Sequence, residues 1–297
     1  MSEQHFEMDK NWKVFDPSPS KPNFTPPKGS VDAHCHVFGP GAQFPFSPSR
    51  KYTPCDASKE KLFELRDYLG FDKNVIVQAS CHGSDNSALI DVLKHSNGNA
   101  RGVAVISTDI TDEELKKMHE TGVRGVRFNF VKRLVDTLPH EKLLDIAARI
   151  KSLGWHIVIY FEANDLPSLY HFFSSLPTIV VVDHMGRPDV TLDPSCSEFK
   201  MFMSLMEENE NIWCKVTCPD RLSVSGPPSY EDVIPFAKFV VQSFPDRVLW
   251  GTDWPHPNMK SHMPDDGHLV DIIPKIAPTE LLQQKLLVDN PMKLYWS

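Results

Sequence analysis

The sequence of 297 residues has few of the features that mark secreted, membrane-spanning or disulfide-stapled proteins. Its six cysteines are too sparse for a disulfide framework, and the opening stretch MSEQHFEMDKNWKVF contains no signal-peptide core. The longest apolar stretches are broken by charges within about ten positions, which is too short to span a membrane. We therefore expect a cytoplasmic protein with reduced thiols.

An excess of positive charge is also missing. Lys and Arg number 31 against 39 Asp and Glu, for a formal net charge of -8. This balance argues against nucleic acid or an anionic membrane as a partner, so an anionic small molecule would have to meet locally placed arginines. The hydrophobic content of 41% is sufficient for a sizeable core. Nothing in the sequence indicates an oligomeric state.

Short runs rich in valine and isoleucine recur along most of the chain. Residues 1–29 are rich in Pro, Ser and Lys and show no period, which predicts an extended arm, whereas 30–297 read as one catalytic domain. The eight predicted strands are 30–37, 74–80, 101–107, 123–129, 155–161, 178–184, 211–217 and 247–253. Segments of helical period lie between them, including 58–70, 84–96, 111–122 and 140–154.

Strands that are apolar on both faces and alternate with helices are typical of a closed (β/α)8 TIM barrel, an α/β fold. An open doubly wound sheet is the alternative, because periodicity does not show closure. No GxGxxG follows the turn HVFGPG after the first strand, which disfavours that alternative. The insert 37–57 is rich in Pro and Gly, and we expect it to form a wall or lid of the site.

Ionisable residues stand at three predicted strand ends. His34 and His36 are separated by one residue, so strand alternation points both toward the barrel axis. His184 closes VVVDH and Asp253 closes LWGTD. Strand eight adjoins strand one in a closed barrel, so these four side chains would converge at its mouth. They could hold one zinc ion or act on a substrate directly, and both readings stay open.

Arginines also follow predicted strand ends. Because arginine binds a carboxylate through two parallel hydrogen bonds, several of them indicate a substrate with more than one carboxylate. Arg124 has the opposite strand parity and is left out. Ser80 and His82 share one face at the end of strand two and are predicted to face the site. The arginines assigned to substrate binding are Arg127, Arg133, Arg187 and Arg221.

These residues carry a family resemblance. DAHCH, a histidine ending strand six and GTDWPH resemble the amidohydrolase superfamily. From about Lys21 to Ser297, the stretches FPFSP, NVIVQASCHG, RGVRFNFVKRLVD, CPDRL and WGTDWPHPNM resemble its lactonases for 2-pyrone-4,6-dicarboxylate. The resemblance implies reversible opening of that lactone to 4-oxalomesaconate in lignin-derived aromatic catabolism. It adds Tyr52, Tyr160 and His256 to the substrate-binding residues, with Asn258 as a weaker candidate.

The same resemblance implies a site without a cofactor. Metal-binding members commonly use a lysine or glutamate ending strand four and a histidine ending strand five, whereas VRFNF and VIYFEA offer neither the lysine nor the histidine. Glu162 is the one further carboxylate that would help to complete a metal site. The alternative is therefore one zinc ion bound by His34, His36, His184 and Asp253.

The expected mechanism uses Asp253 as general base toward water, while His34, His36 and His184 polarise the carbonyl and stabilise the oxyanion. Because Asp253 must be ionised, we expect hydrolysis to accelerate with pH between about pH 5 and 9. The alternatives are a lactonase for another anionic lactone such as a muconolactone or sugar-acid lactone, a zinc-dependent amidohydrolase or decarboxylase, and a barrel that only binds carboxylates.

Overall fold

Eight parallel strands, in chain order, form a barrel in the computed structural model, which describes residues 7–297. The ring is closed between β1 and the segment after β8, where the Ala33 amide donates to the Trp250 carbonyl at 2.9 Å and the Asp253 amide donates to the His34 carbonyl at 2.8 Å. The predicted (β/α)8 barrel is confirmed. Its strands are β1 Val31–Cys35, β2 Lys73–Val77, β3 Ala100–Ala104, β4 Val123–Asn129, β5 His156–Tyr160, β6 Val180–Val182, β7 Ile212–Lys215 and β8 Val248–Leu249.

Helices cover the outside of the barrel, and their ends follow local sequence signals. Ser58 caps α1, and Thr111 forms a capping box with Glu114 at the start of α3. Gly70 and Gly122 end these two helices in the left-handed conformation. The helices are α1 Lys59–Leu69, α2 Ser87–His95, α3 Asp112–Thr121, α4 His140–Lys151, α5 Leu166–Ser175, α6 Ser197–Glu208, α7 Pro219–Leu222, α8 Ile234–Ser243, α9 Asp266–Asp271, α10 Ile273–Ile276, α11 Glu280–Gln284 and α12 Asn290–Tyr295.

Two separate apolar clusters hold the layers together. The larger cluster lies between the strands and the helices. The smaller fills the barrel interior, mostly with valines such as Val75 and Val158, and Tyr295 from α12 belongs to it. Above this layer the barrel interior becomes polar, so the apolar floor excludes water from below and leaves the ionisable side chains at the carboxyl ends of the strands.

The described part of the N-terminal arm, residues 7–29, contains neither helix nor strand. Backbone hydrogen bonds join Asp9 to Thr53 at 3.0 Å and Lys13 to Met259 at 2.8 Å. The ring of Phe15 packs on Trp254 with centroids 4.9 Å apart. The arm therefore lies against the loops that surround the mouth. The first six residues of the predicted arm lie outside the described residues.

The insert after β1 folds back on itself and forms part of the mouth. A short antiparallel bridge between Phe38 and Ala57 closes its base. Near its end, the Lys51 ammonium donates to the Asp136 carboxylate at 2.6 Å, which joins the insert to the loop after β4. All six cysteines are unpaired thiols, and no helix within residues 7–297 is long and apolar enough to cross a bilayer.

Candidate active site

A β-bulge brings the two histidines of β1 into the barrel interior. Between Asp32 and Cys35 the chain advances three residues, while its partner β2 advances only two, from Asn74 to Ile76. Val31 and Ala33 belong to the interior cluster, so uninterrupted alternation would turn the next even-numbered residues outward. The bulge shifts this phase. His34 and His36 consequently both reach the same carboxylate.

That carboxylate belongs to Asp253, four residues beyond the end of β8. Its Oδ1 lies 3.3 Å from Nε2 of His34 and 3.2 Å from Nε2 of His36. Its Oδ2 accepts hydrogen bonds from Nε and Nη2 of Arg221 at 2.9 and 2.8 Å. The predicted convergence of strand one and strand eight therefore occurs around one buried carboxyl group.

Arg221 decides the charge state of this carboxyl. Burial by itself raises the pKa of Asp253, but the Arg221 charge, with His34 and His36 beside the carboxyl group, outweighs burial and holds that pKa well below its usual range. Asp253 is thus already ionised at about pH 5. The rise of the hydrolysis rate with pH is therefore expected at lower pH than the sequence predicted. The sequence did not show the contact between Arg221 and Asp253 that causes this difference.

Several residues at the mouth adopt a backbone conformation that side chains normally avoid, among them three that follow neighbouring strands. The φ angles are +53° at His184, +59° at Cys218 and +64° at Asp253. Such left-handed residues each cost on the order of 1 kcal/mol or more and concentrate at functional sites. At these three residues the chain turns abruptly after β6, β7 and β8, and the turns direct side chains into the cleft.

The ring of His36 has a defined orientation. Its Nδ1 lies 2.7 Å from the Val77 carbonyl oxygen, which can only accept, so Nδ1 carries a hydrogen. Burial lowers the pKa of His36 to about 4, against the opposing effect of Asp253. The neutral ring therefore presents a lone pair on Nε2, and a proton taken up by Asp253 can be shared across the 3.2 Å contact. This geometry differs from the expected role of His36 as a donor to a carbonyl.

His184 is held by residues from the end of β7. Its Nδ1 lies 2.6 Å from the Thr217 hydroxyl, and its Nε2 lies 3.6 Å from the Cys218 sulfur. Burial lowers the pKa of His184 well below its usual value, so the ring is neutral. Its ring centroid is 4.9 Å from that of His34.

The four predicted arginines line the mouth, and each is already paired with a carboxylate. Arg127 contacts Asp183 at 2.9 Å, and Arg187 contacts Glu162 at 2.8 Å. Arg133, about half exposed, approaches Glu162 at 3.4 Å. Arg124 instead donates to main-chain carbonyls on the outside of the barrel, as its strand parity predicted. Glu162 is therefore engaged by two arginines rather than aimed at the histidines.

The cleft between these side chains is narrow, with a free volume of about 30 Å³. That volume holds only one or two water molecules, so a ring-sized substrate requires side chains at the rim to move. The exposed Arg133 and the half-buried Leu134 lie at this rim, on the loop after β4. The predicted residues that line the cleft are His36, Tyr52, Ser80, Arg127, Arg133, Tyr160, His184, Arg221, Asp253 and the weaker candidate Asn258.

Four predicted residues do not line the cleft, namely His34, which is fully buried, Arg187, His82 and His256. β2 ends at Val77, and Ser80–His82 forms a short 3₁₀ turn, so the strand parity assumed for Ser80 and His82 does not apply. The ring of His82 packs against Phe46 and lies 3.0 Å from the Pro45 carbonyl oxygen. His256 is fully buried and pairs with Asp266 at 3.0 Å.

Two buried residues beside His34 were missed from the sequence. Asp183 and Lys215 are fully buried and contact His34 Nδ1 at 3.2 and 3.0 Å. Both had a signal: Asp183 directly precedes His184, and Lys215 is a lone charge in the apolar run IWCKV. An ionisable residue inside a barrel strand indicates a functional site in the same way as one at its end.

A bound metal matches this donor set only in part. Among residues 7–297, His34, His184 and Asp253 present ligand atoms that all lie within 4.8 Å of one another. Histidine ligands usually donate their second ring N–H to an acceptor. The Val77 carbonyl provides such an acceptor for His36, but the partner of His34 Nδ1 with hydrogen-bond geometry is the Lys215 ammonium, which only donates. The donor set therefore does not fit a metal at His34.

Comparison with known proteins agrees with the barrel fold and shows the family of the chain. The family profile described as Amidohydrolase matches residues 31–296. A 2-pyrone-4,6-dicarboxylate hydrolase from Comamonas testosteroni is 63% identical, covering 98% of each chain. A 4-sulfomuconolactone hydrolase from Hydrogenophaga intermedia is 37% identical, covering 92% of this chain and 90% of that one. A crystal structure from Agrobacterium tumefaciens superposes with a TM-score of 0.82 at 26% identity, covering 93% of this chain and 98% of that one.

Proposed function

Because the chain belongs to the amidohydrolase family, we propose that the mouth of its barrel hydrolyses the lactone ring of 2-pyrone-4,6-dicarboxylate without a bound metal ion. The Comamonas testosteroni relative, named for this substrate, supports the assignment. Hydrolysis breaks the bond between the ring carbonyl carbon and the ring oxygen. It yields an open-chain tricarboxylate enol, a tautomer of 4-oxalomesaconate.

An excess of positive charge around the cleft is the main observation in support of the proposal. Five cations stand against three carboxylates in three groups of ion pairs around the cleft, so two positive charges have no carboxylate of their own. A substrate with two carboxylates supplies the matching charge, and arginine binds carboxylates bidentately. This local excess contrasts with the net charge of -8 for the whole chain. The cations are Arg127, Arg133, Arg187, Arg221 and Lys215, and the carboxylates are Asp183, Asp253 and Glu162.

Asp253 acts as the general base in this reaction. Asp253 lines the cleft, and its pKa is held well below the usual range by Arg221 despite burial, so it is ionised at neutral pH. A water beside Oδ1 loses its proton to Asp253 as it attacks the lactone carbonyl. The proton is then shared with Nε2 of His36, 3.2 Å away, while Nδ1–H of the same ring continues to donate to the Val77 carbonyl.

Stabilisation of the oxyanion falls to the rings of His34 and His184. Each lies beside Asp253, so the carbonyl of a substrate above the carboxylate comes within reach of both rings. The leaving group is an enolate whose charge is delocalised, so departure needs less proton transfer than an alkoxide would require. Proton donation from the Asp253 and His36 pair completes ring opening.

The experiment uses protein that has been treated with chelator and analysed for metal. We expect it to consume 2-pyrone-4,6-dicarboxylate, seen as loss of the pyrone ultraviolet absorbance, while the Asp253→Asn variant does not. Activity that appears only on addition of zinc would contradict the metal-free mechanism. Failure under both conditions would contradict the substrate. The next lactone to test is 4-sulfomuconolactone, because the Hydrogenophaga intermedia relative supports a second anionic lactone.

A further inference from the structure

A single lysine lies in the polar layer of the barrel interior, directly beneath the histidines. Lys215 ends β7, two residues after Trp213 of the interior cluster, so strand alternation points its side chain inward. Its side chain is 0% exposed. Burying an ammonium is costly unless it is paired and hydrogen-bonded, so its retention here calls for a specific partner.

The partners of Lys215 come from β1 and from the turn directly after β6. Its Nζ lies 3.0 Å from Nδ1 of His34 and 3.4 Å from Oδ1 of Asp183. The second oxygen of Asp183 accepts from Arg127 at 2.9 Å. The lysine is therefore balanced by one carboxylate, and its directed hydrogen bond goes to the imidazole.

An ammonium has donors only, so the Nδ1 atom it contacts must be an acceptor. A neutral imidazole with an accepting Nδ1 carries its hydrogen on Nε2. Nε2 of His34 is the atom that faces Asp253 at 3.3 Å. Asp183 competes for the same Nδ1 at 3.2 Å, but its Oδ1 makes no hydrogen bond of acceptable geometry.

We propose that Lys215 is a positioning residue that holds His34 as the neutral Nε2–H tautomer, which makes the ring a hydrogen-bond donor at the barrel mouth and prevents it from binding a metal. Donation from Nε2 is what the oxyanion requires, whereas metal binding requires a lone pair on that atom. The expected effect on turnover rests on the proposed lactonase function. The tautomer of His34 does not depend on that function.

The substitution Lys215→Met reverses this arrangement. Without the ammonium, Asp183 is the remaining partner of Nδ1, at 3.2 Å, and as a carboxylate it only accepts. Nδ1 then carries the hydrogen, and Nε2 presents its lone pair toward Asp253 and His184. The variant loses one donor to the oxyanion and gains one ligand for a cation.

The tautomer is measured directly by long-range ¹H–¹⁵N correlation spectra of protein labelled with ¹⁵N-histidine. The His34 signals are assigned by their absence in His34→Gln. We expect the Nε2–H pattern in the unaltered protein and the Nδ1–H pattern in Lys215→Met. An Nδ1–H or doubly protonated pattern in the unaltered protein would overturn the proposal, and that measurement needs no lysine variant to fold.

Turnover and zinc binding supply two further readouts. For Lys215→Met we expect kcat to fall on the order of 10² to 10³-fold with little change in KM, because one transition-state donor is lost. We expect its calorimetric affinity for zinc to rise about tenfold or more. The matched control is Lys73→Met, a lysine at the start of β2 hydrogen-bonded to Asn99, which should change none of these.

The outcomes separate the two proposals. An expected tautomer with no turnover of 2-pyrone-4,6-dicarboxylate would contradict the proposed substrate and leave the role of Lys215 supported. Normal kcat in a folded Lys215→Met variant, or unchanged affinity for zinc together with an unchanged His34 pattern, would overturn the role of Lys215.

Discussion

The contact between Arg221 and Asp253 makes a quantitative prediction about pH. Nε and Nη2 of Arg221 converge on one carboxylate oxygen at 2.9 and 2.8 Å, and the two side chains are only 14% and 3% exposed. With charge centres about 4 Å apart and an effective dielectric constant of about 20, their attraction is about 4 kcal/mol. That energy corresponds to about 3 pH units in the ionisation of the carboxyl.

The perturbation is Arg221→Gln, which removes the charge and keeps a polar side chain. In the unaltered protein the low pKa of Asp253 leaves kcat for hydrolysis independent of Asp253 ionisation above about pH 5. In the variant burial is less strongly opposed, so the pKa of Asp253 rises. We expect an acid limb in kcat that lies about 2 to 3 pH units higher than in the unaltered protein.

The assay measures kcat at saturating substrate from about pH 4 to 9, because Arg221 is also proposed to bind the substrate and its loss raises KM. The matched control is Arg149→Gln, which breaks the Arg149 to Asp112 ion pair of 2.6 Å on the outer helices and should leave the profile unchanged. Thermal unfolding establishes that both variants are folded. An Arg221→Gln profile that coincides with the unaltered one would refute the electrostatic account of Asp253.

Three further predictions address the site and its support. Asp253→Asn should reduce kcat by about 10² to 10⁴-fold without preventing substrate binding, as equilibrium dialysis can verify. Asp266→Asn removes the buried partner of His256 at 3.0 Å and should lower the free energy of unfolding by about 3 kcal/mol at pH 6. Burial lowers the pKa of His256, but Asp266 raises it more, so this contribution is present below the unfolded-state pKa and is lost as pH rises through the folded-state pKa. Urea unfolding should therefore show a smaller loss at about pH 9, and an equal loss would contradict the assignment. Gly251→Ala would place a Cβ 2.3 Å from the His34 amide nitrogen and should cost about 1 to 3 kcal/mol in thermal unfolding, whereas an unchanged Tm would show that the β1 contact yields.

Much of this barrel is determined by short-range sequence patterns. The runs of valine and isoleucine located all eight strands, and β4 was predicted with its observed bounds, Val123–Asn129. Capping residues such as Ser58 and Thr111 marked helix starts because their side chains satisfy exposed amide groups locally. Once eight such units alternate, closure of the parallel sheet places every strand end at one mouth. The sequence thus indicated which residues would gather there.

Tertiary structure decided how those residues are used. The alternation of side chains along a strand does not predict the bulge between Asp32 and Cys35. This bulge depends on pairing with β2, and it turns both His34 and His36 inward. No local pattern joins Arg221 to Asp253 or Lys215 to His34, because these contacts cross 32 and 181 positions of the chain. Protonation depends on such neighbours, since burial and charge act through space. The sequence by itself therefore determined the barrel and the membership of most of the cleft, while packing across the barrel decided which side chain donates, which accepts and which stays charged.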